Sequence, residues 1–155
     1  MRPIVEQHDT RVRTMPPRTE LQELMRNVPL FAGLLPSELD RISLVMKPVD
    51  VAAGEVICAE GDPGHDFYVL ARGEATVERR GDTIAKLHTG DHFGELALLD
   101  RGPRSATVRT LTECRLYVLH DASFASVLNE VPALAQKLLA ALARRLREAE
   151  SQLGP

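Results

Sequence analysis

The sequence predicts a mostly β domain bracketed by helices. Between Pro48 and His120, short apolar runs alternate with turn residues at Gly54, Gly61-Asp62-Pro63-Gly64, Gly73, Gly81-Asp82, Gly90-Asp91 and Gly102-Pro103. Turn signals every 8–12 residues or so between short strands mark a barrel, sandwich or roll. On both sides of this stretch the apolar period lengthens to that of a helix. A chain of 155 residues with 44% hydrophobic content is enough for one such core.

In chain order, residues 1–19 are rich in Arg and Pro and poor in apolar residues, so a disordered tail is expected. Arg2, Arg11, Arg13 and Arg18 would allow it to act as a binding arm. Folding is expected to begin at Thr19, an N-cap followed by Gln22 and Glu23, with a short helix over 20–27. Pro36 suits the first turn of a second helix, whose apolar face is Leu39, Ile42, Leu44 and Val45. Lys47-Pro48 ends helical character, because proline disfavours the α region for the residue before it. Strands are expected over 49–51, 56–58, 67–70, 75–77, 83–87, 106–108 and 114–119, with Gly81-Asp82 as a hairpin turn. Asp121 is the expected N-cap of a helix through Phe124, Val127 and Leu128. Pro132 opens a long final helix with Leu134, Leu138, Leu142 and Leu146 on one stripe. The domain is expected to span 20–150, with 151–155 as a short tail.

Composition removes several classes of function. The net charge of −3 argues against a polyanion-binding surface. No run approaches the roughly 20 apolar residues that span a bilayer, and the N-terminus lacks the apolar core of a secretory signal. Cys58 and Cys114 lie far apart in apolar stretches and form no CxxC pair, so both are expected as buried thiols in a reducing cytoplasm.

Chemistry concentrates in residues 90–108. Gly94 allows a backbone conformation closed to other residues or a close approach. Residues 95–99 favour one short turn of helix, whose leading N–H groups form an anion site. Gly102-Pro103 then leads to Arg104, whose planar guanidinium matches two phosphate oxygens, with the Ser105 hydroxyl beside it. Glu95, a pure acceptor, suits a sugar hydroxyl, with Arg104 offsetting its charge. Together these groups describe a nucleotide with few free charges. The competing account is an internal Glu95–Arg104 ion pair that staples the loop.

The runs Phe93-Gly94-Glu95-Leu96-Ala97-Leu98 and Pro103-Arg104-Ser105-Ala106-Thr107-Val108 resemble the phosphate-binding cassette of cyclic-nucleotide-binding domains. Those domains occur in catabolite activators, cyclic-nucleotide-dependent kinases and nucleotide-gated channels. Leu30-Phe31-Ala32-Gly33-Leu34, Gly54-Glu55-Val56-Ile57, Glu60-Gly61-Asp62, Phe67-Tyr68-Val69-Leu70 and Gly73-Glu74-Ala75 resemble family positions in the same order. The resemblance implies a β-roll, a jelly-roll-like double-stranded β-helix with N-terminal helices, a short cassette helix and a long C-terminal lid helix. It implies that Phe93, Gly94, Glu95, Leu96, Ala97, Arg104, Ser105 and Ala106 bind the ligand. Glu95 would take the ribose 2′-OH, Arg104 the cyclic phosphate, and Gly94, Leu96 and Ala97 would supply backbone amides. Leu142 and Arg145 are the expected lid contacts, Arg144-Arg145-Arg147 otherwise reading as a solvated face. Ser after the cassette Arg accompanies cGMP in some members, yet catabolite activators carry Ser there and answer to cAMP, so cAMP is favoured.

A rival reading is a cupin-like metal enzyme using His88, His92 and Glu95, with His65 in addition. Strand alternation would set Glu95 opposite His88 and His92, and cupin ligand spacing is not matched, so no metal is expected. No Ser-His-Asp, Walker or Gly-rich dinucleotide motif is visible, so the chain is not expected to be an enzyme or to need a cofactor beyond its ligand. A degenerate scaffold for protein–protein contact is the remaining alternative. No segment after the long helix has room for a DNA-binding motif, so direct DNA binding is not expected. The signal would pass to a protein effector or to a domain absent from this sequence.

Overall fold

The computed structural model describes residues 17–153. Residues 1–16 of the tail expected over 1–19, and the last two residues, therefore lie outside the described residues.

Two antiparallel four-stranded sheets form the centre. Their strands are β1 (Lys47–Val51), β2 (Val56–Cys58), β3 (Asp66–Arg72), β4 (Ala75–Arg79), β5 (Asp82–Leu87), β6 (His92–Phe93), β7 (Thr107–Thr110) and β8 (Cys114–His120). One sheet has the order β1-β8-β3-β6 and the other β2-β7-β4-β5. The expected β-roll with flanking helices is the fold that the chain adopts. Its helices are α1 (Pro17–Asn27), α2 (Pro36–Ser43), α3 (Glu95–Asp100), α4 (Asp121–Glu130) and α5 (Pro132–Gln152), with a 3-10 turn at Pro29–Phe31.

Two cores share one sheet. Val49, Leu70, Leu116 and Val118 face Ile57, Ala75 and Val108 of the other sheet inside the roll. The alternate residues Phe67, Val69, Tyr117 and Leu119 face the helices and pack with Leu24, Phe31, Ile42, Phe124, Leu134 and Leu138. Because β3 and β8 are covered on both faces, their sequences read as near-continuous apolar runs. Each fully buried Leu or Phe contributes about 1.5–3 kcal/mol over an exposed one.

Several local expectations are corrected. The chain is already helical at Pro17, ahead of the start expected after Thr19. Helix α2 stops at Ser43, and Leu44, expected on its apolar face, is 71% exposed, while Ile42 is buried. The hairpin turn is Arg80-Gly81, not Gly81-Asp82, and Asp82 already pairs with Arg79. Both turn residues have positive φ (54° and 85°), matching the right-handed twist of the flanking strands. The Arg80 N–H is held by Glu60 Oε1 at 2.9 Å. Asp121 is the first residue of α4 rather than its cap, and bonds the Ala122 N–H through Oδ1. Strand β6, two residues long, was too short to register as a period.

In α5, Leu134 and Leu138 are buried, but Leu146 is 59% exposed. Steps of four residues rotate about 40° each around an α-helix, so the stripe turns away from the core.

Buried charge ties the layers together. Arg115 on β8 is 2% exposed; its Nε and Nη2 donate to Asp50 of β1, and its Nη1 to Glu20 of α1. Glu20 also accepts from Tyr117 and pairs with Arg72. These contacts anchor α1 on the sheet.

Candidate ligand-binding site

The site is assembled where β6 ends. Phe93 stacks on Tyr68 with ring centroids 4.8 Å apart, which fixes the chain just before Gly94. Gly94 has φ +97° and precedes the first turn of α3. A Cβ there would lie 2.7 Å from both Arg104 Nη1 and the Asp66 carbonyl oxygen, so both conformation and space require glycine.

Arg104 is held from three sides. Its N–H donates to Asp62 O (2.8 Å), its carbonyl accepts from Gly61 N–H (2.9 Å), and Pro63 bridges to Pro103. The side chain crosses Gly64, where a Cβ would meet the guanidinium at 2.6–2.7 Å and the Ala97 Cβ at 2.7 Å. Nη1 donates to Gly94 O (2.9 Å) and Nη2 to Asp66 O (2.8 Å), while Cζ lies 5.6 Å from the Tyr68 ring centre. The residue is 6% exposed. Burial pushes the Tyr68 phenol well above its ordinary pKa, so it stays neutral under the guanidinium.

Glu95 is 2% exposed, and its partners differ from those expected. Oε2 accepts from Arg145 Nη1 of α5 at 2.8 Å, and Oε1 lies 3.3 Å from His92 Nδ1. Arg104 bonds backbone carbonyls instead, so the Glu95–Arg104 ion pair is not formed among the described residues. Burial pushes the Glu95 carboxyl up, but the His92 hydrogen bond and charge, a backbone N–H and Arg145 outweigh it. The result lies below the ordinary carboxylate range. Alternation was expected to separate His92 from Glu95. It fails because Gly94 breaks the strand between them and α3 turns the carboxylate back.

These groups open onto one cavity of about 480 Å³, within the range of small-molecule sites. Phe93, Gly94, Glu95, Leu96, Ala97, Arg104, Ser105 and Ala106 all line it, as do Val77, Ile84, Leu87 and Val108. Ser105 is exposed at the rim, its carbonyl accepting from Arg79 Nε at 3.0 Å. Helix α5 supplies Ala141, Arg144, Arg145 and Glu148. Leu142 is not part of the lining. One helical face carries 141, 144, 145 and 148, and Leu142 is rotated about 100° from Ala141.

Sequence reasoning passed over Gly64, Asp66 and Tyr68 as site residues, and offered His92 only as a metal ligand in the rival reading. Gly64 was legible only as a turn residue, and Asp66 acts through its carbonyl, which no side-chain pattern reveals. The other two histidines of the metal reading lie elsewhere: His88 Nδ1 is 3.4 Å from Glu74 and His65 Nδ1 is 3.6 Å from Asp121. Among the described residues no group of three or more His, Cys, Asp or Glu side chains could hold a metal ion. Cys58 also lines the cavity; it is free and buried, like Cys114, and burial raises its thiol pKa against the opposing charge of Arg104.

The family profile described as "Cyclic nucleotide-binding domain" matches residues 48–131. The chain is 30% identical over 138 residues to a CRP-like cAMP-activated global transcriptional regulator of Mycobacterium tuberculosis, covering 86% of this chain and 62% of that protein. It is 35% identical over 120 residues to a cAMP-dependent protein kinase regulatory subunit of Hypocrea atroviridis, covering 77% of this chain and 26% of the relative. The chain thus spans less than two thirds of these relatives. Among solved structures, the Thermus thermophilus catabolite activator protein superposes with a TM-score of 0.76 at 36% identity, over 81% of this chain and 61% of that one. A structure described as "Sp-2Cl-cAMPS bound to PKAR CBD2" gives 0.76 at 27% identity, over 88% and 91%.

Proposed function

The chain belongs to the cyclic nucleotide-binding domain family, and on that premise we propose that the cavity binds cAMP in preference to cGMP and reports it through α5. The carrying observation is that a buried carboxylate and a buried guanidinium line the same cavity without neutralising each other. Arg104 meets carbonyl oxygens rather than a counter-ion, so a phosphate would supply the opposing charge. Glu95, held by Arg145 and His92, keeps acceptor lone pairs for a hydroxyl.

In this reading Arg104 takes the cyclic phosphate. Its guanidinium has five N–H donors, and two of them already position it through Gly94 and Asp66. The backbone N–H groups of Gly94, Leu96 and Ala97 would serve the same anion, and the Ser105 hydroxyl would complete the rim. Glu95 accepts the ribose 2′-OH, while Phe93, Ala106 and the apolar strand residues enclose the sugar and base. The relatives named as cAMP-activated or cAMP-dependent support cAMP over cGMP.

Arg145 gives the signal a route. It joins α5 to Glu95, the residue assigned to the sugar, so ligand and helix meet at one carboxylate. Only a ligand that binds one α5 position better than the other can shift the balance. The domain itself is read as non-catalytic and cytoplasmic, handing the signal to a partner protein or an attached effector domain. Among the described residues no helix is long and apolar enough to cross a membrane.

The test is calorimetry with cAMP, cGMP and 5′-AMP on the wild type and Arg104→Ala. Cyclic nucleotides should bind and 5′-AMP should not. Arg104→Ala should cost about 1.5–3 kcal/mol, roughly ten- to hundredfold in Kd. Absence of binding by any cyclic nucleotide would leave the degenerate-scaffold reading.

A further inference from the structure

Glu95 has two partners of unequal permanence. Arg145 reaches it from the second half of α5, and its side chain is 55% exposed. His92 is 20% exposed and is built into the sheet, where it pairs with Val69. Its ring lies 5.6 Å from the ring of Phe67, which in turn packs on Phe124 at 5.3 Å. If a sugar hydroxyl or a movement of α5 takes Arg145 away, His92 is the contact that stays with the carboxylate.

We propose that His92 is the positioning residue of the site, and that its proton orients Glu95 toward the ligand hydroxyl. The inference rests on the cyclic-nucleotide reading. It follows from the atoms involved. A protonated imidazole must present an N–H at Nδ1, so it donates to Glu95 Oε1 and leaves Oε2 for the ligand. A neutral ring can instead carry its proton on Nε2, which turns the Nδ1 lone pair toward the carboxylate and releases it.

The other charged groups do not substitute for this device. Among the described residues Glu95 of α3 is the ion-pair partner of His92, and Arg145 of α5 reaches His92 only through Glu95. Asp91, next in sequence, is engaged by the His88 N–H through Oδ2. Arg104 is committed to Gly94 and Asp66 carbonyls, and Arg79 to the Ser105 carbonyl. Arg144 and Glu148 line the cavity from the exposed part of α5. Glu95 itself stays ionised through the neutral range, since His92 and Arg145 hold it low against burial.

The direction of the effect is set by linkage. Ligand binding favours the protonated ring, so affinity is fully present at the acid end and is lost as pH rises and the ring gives up its proton. From pH 6 to pH 8 cAMP affinity should fall about three- to tenfold.

The experiment is calorimetry of cAMP and 2′-deoxy-cAMP from pH 6 to 8, in buffers of different ionisation enthalpy, on wild type, His92→Gln and His88→Gln. The inference expects wild type and His88→Gln to take up part of a proton on binding cAMP and to weaken with rising pH. His92→Gln should show neither effect and should discriminate less between cAMP and its deoxy analogue. Proton uptake by the wild type is read without any variant, so a His92→Gln that failed to fold would leave that measurement standing. A flat wild-type profile without proton uptake, or a His92→Gln profile parallel to wild type, would overturn the assignment. Absence of cAMP binding at every pH would instead overturn the cyclic-nucleotide reading beneath it.

Discussion

A methyl group on Gly94 would sit 2.7 Å from Arg104 Nη1 at a backbone φ of +97°, whereas one on Gly64 would press on the same guanidinium without that backbone strain. The two substitutions therefore separate strain from displacement. Gly94→Ala should destabilise the fold by about 1–3 kcal/mol in urea titrations, through left-handed strain, and also weaken binding. Gly64→Ala should act mainly on binding, as Arg104 is pushed from its place. Glu95 offers a test by acid. Because its folded pKa is depressed, it contributes stability that is present above the unfolded value near about 4.3 and lost as pH falls through the folded value. Glu95→Gln should flatten the loss of stability on acidification, followed by denaturant melts between pH 3 and 6. Glu95 and Arg104 were legible because charged groups beside a glycine and a proline, inside apolar strands, need a reason to be there. His92 was legible only as a candidate metal ligand and not as the partner of Glu95, since a histidine in a two-residue strand has no period to place it.

Among the elements, α5 carries two duties on two faces. Leu134 and Leu138 seal the helical core, while Ala141, Arg144, Arg145 and Glu148 turn toward the cavity. Leu138→Ala should cost about 2–5 kcal/mol, whereas Leu146→Ala should change stability by less than about 0.5 kcal/mol, both measured by chemical denaturation. The i+4 leucine spacing announced the helix but not where it leaves the core, because that depends on where the sheet ends. The Arg115 network shows the same limit. Asp50, Glu20 and Arg115 lie on three elements and form one buried cluster. Asp50→Ala leaves the buried Arg115 guanidinium with Glu20 alone of the two carboxylates and should cost about 1.5–3 kcal/mol in the same assay.

For the molecule as a whole, one sheet divides two cores, and the cavity opens where the roll, α3 and α5 meet. A ligand there binds the folded state alone. At a hundredfold excess over Kd it should add about 2.7 kcal/mol, raising Tm by roughly 5–10 °C for a domain of this size, read by calorimetric melting. The sequence by itself determined a mostly β domain, its helical flanks and the contiguous cassette, since strand period, turn glycines and helix caps act over a few residues; the roll was what the family resemblance implied. The tertiary structure alone decided which charges meet. Arg145 reaches Glu95 across 50 residues and Arg104 reaches the Asp66 carbonyl across 38. Pairings at that distance depend on how the sheets and helices pack, and a linear pattern carries no record of that packing.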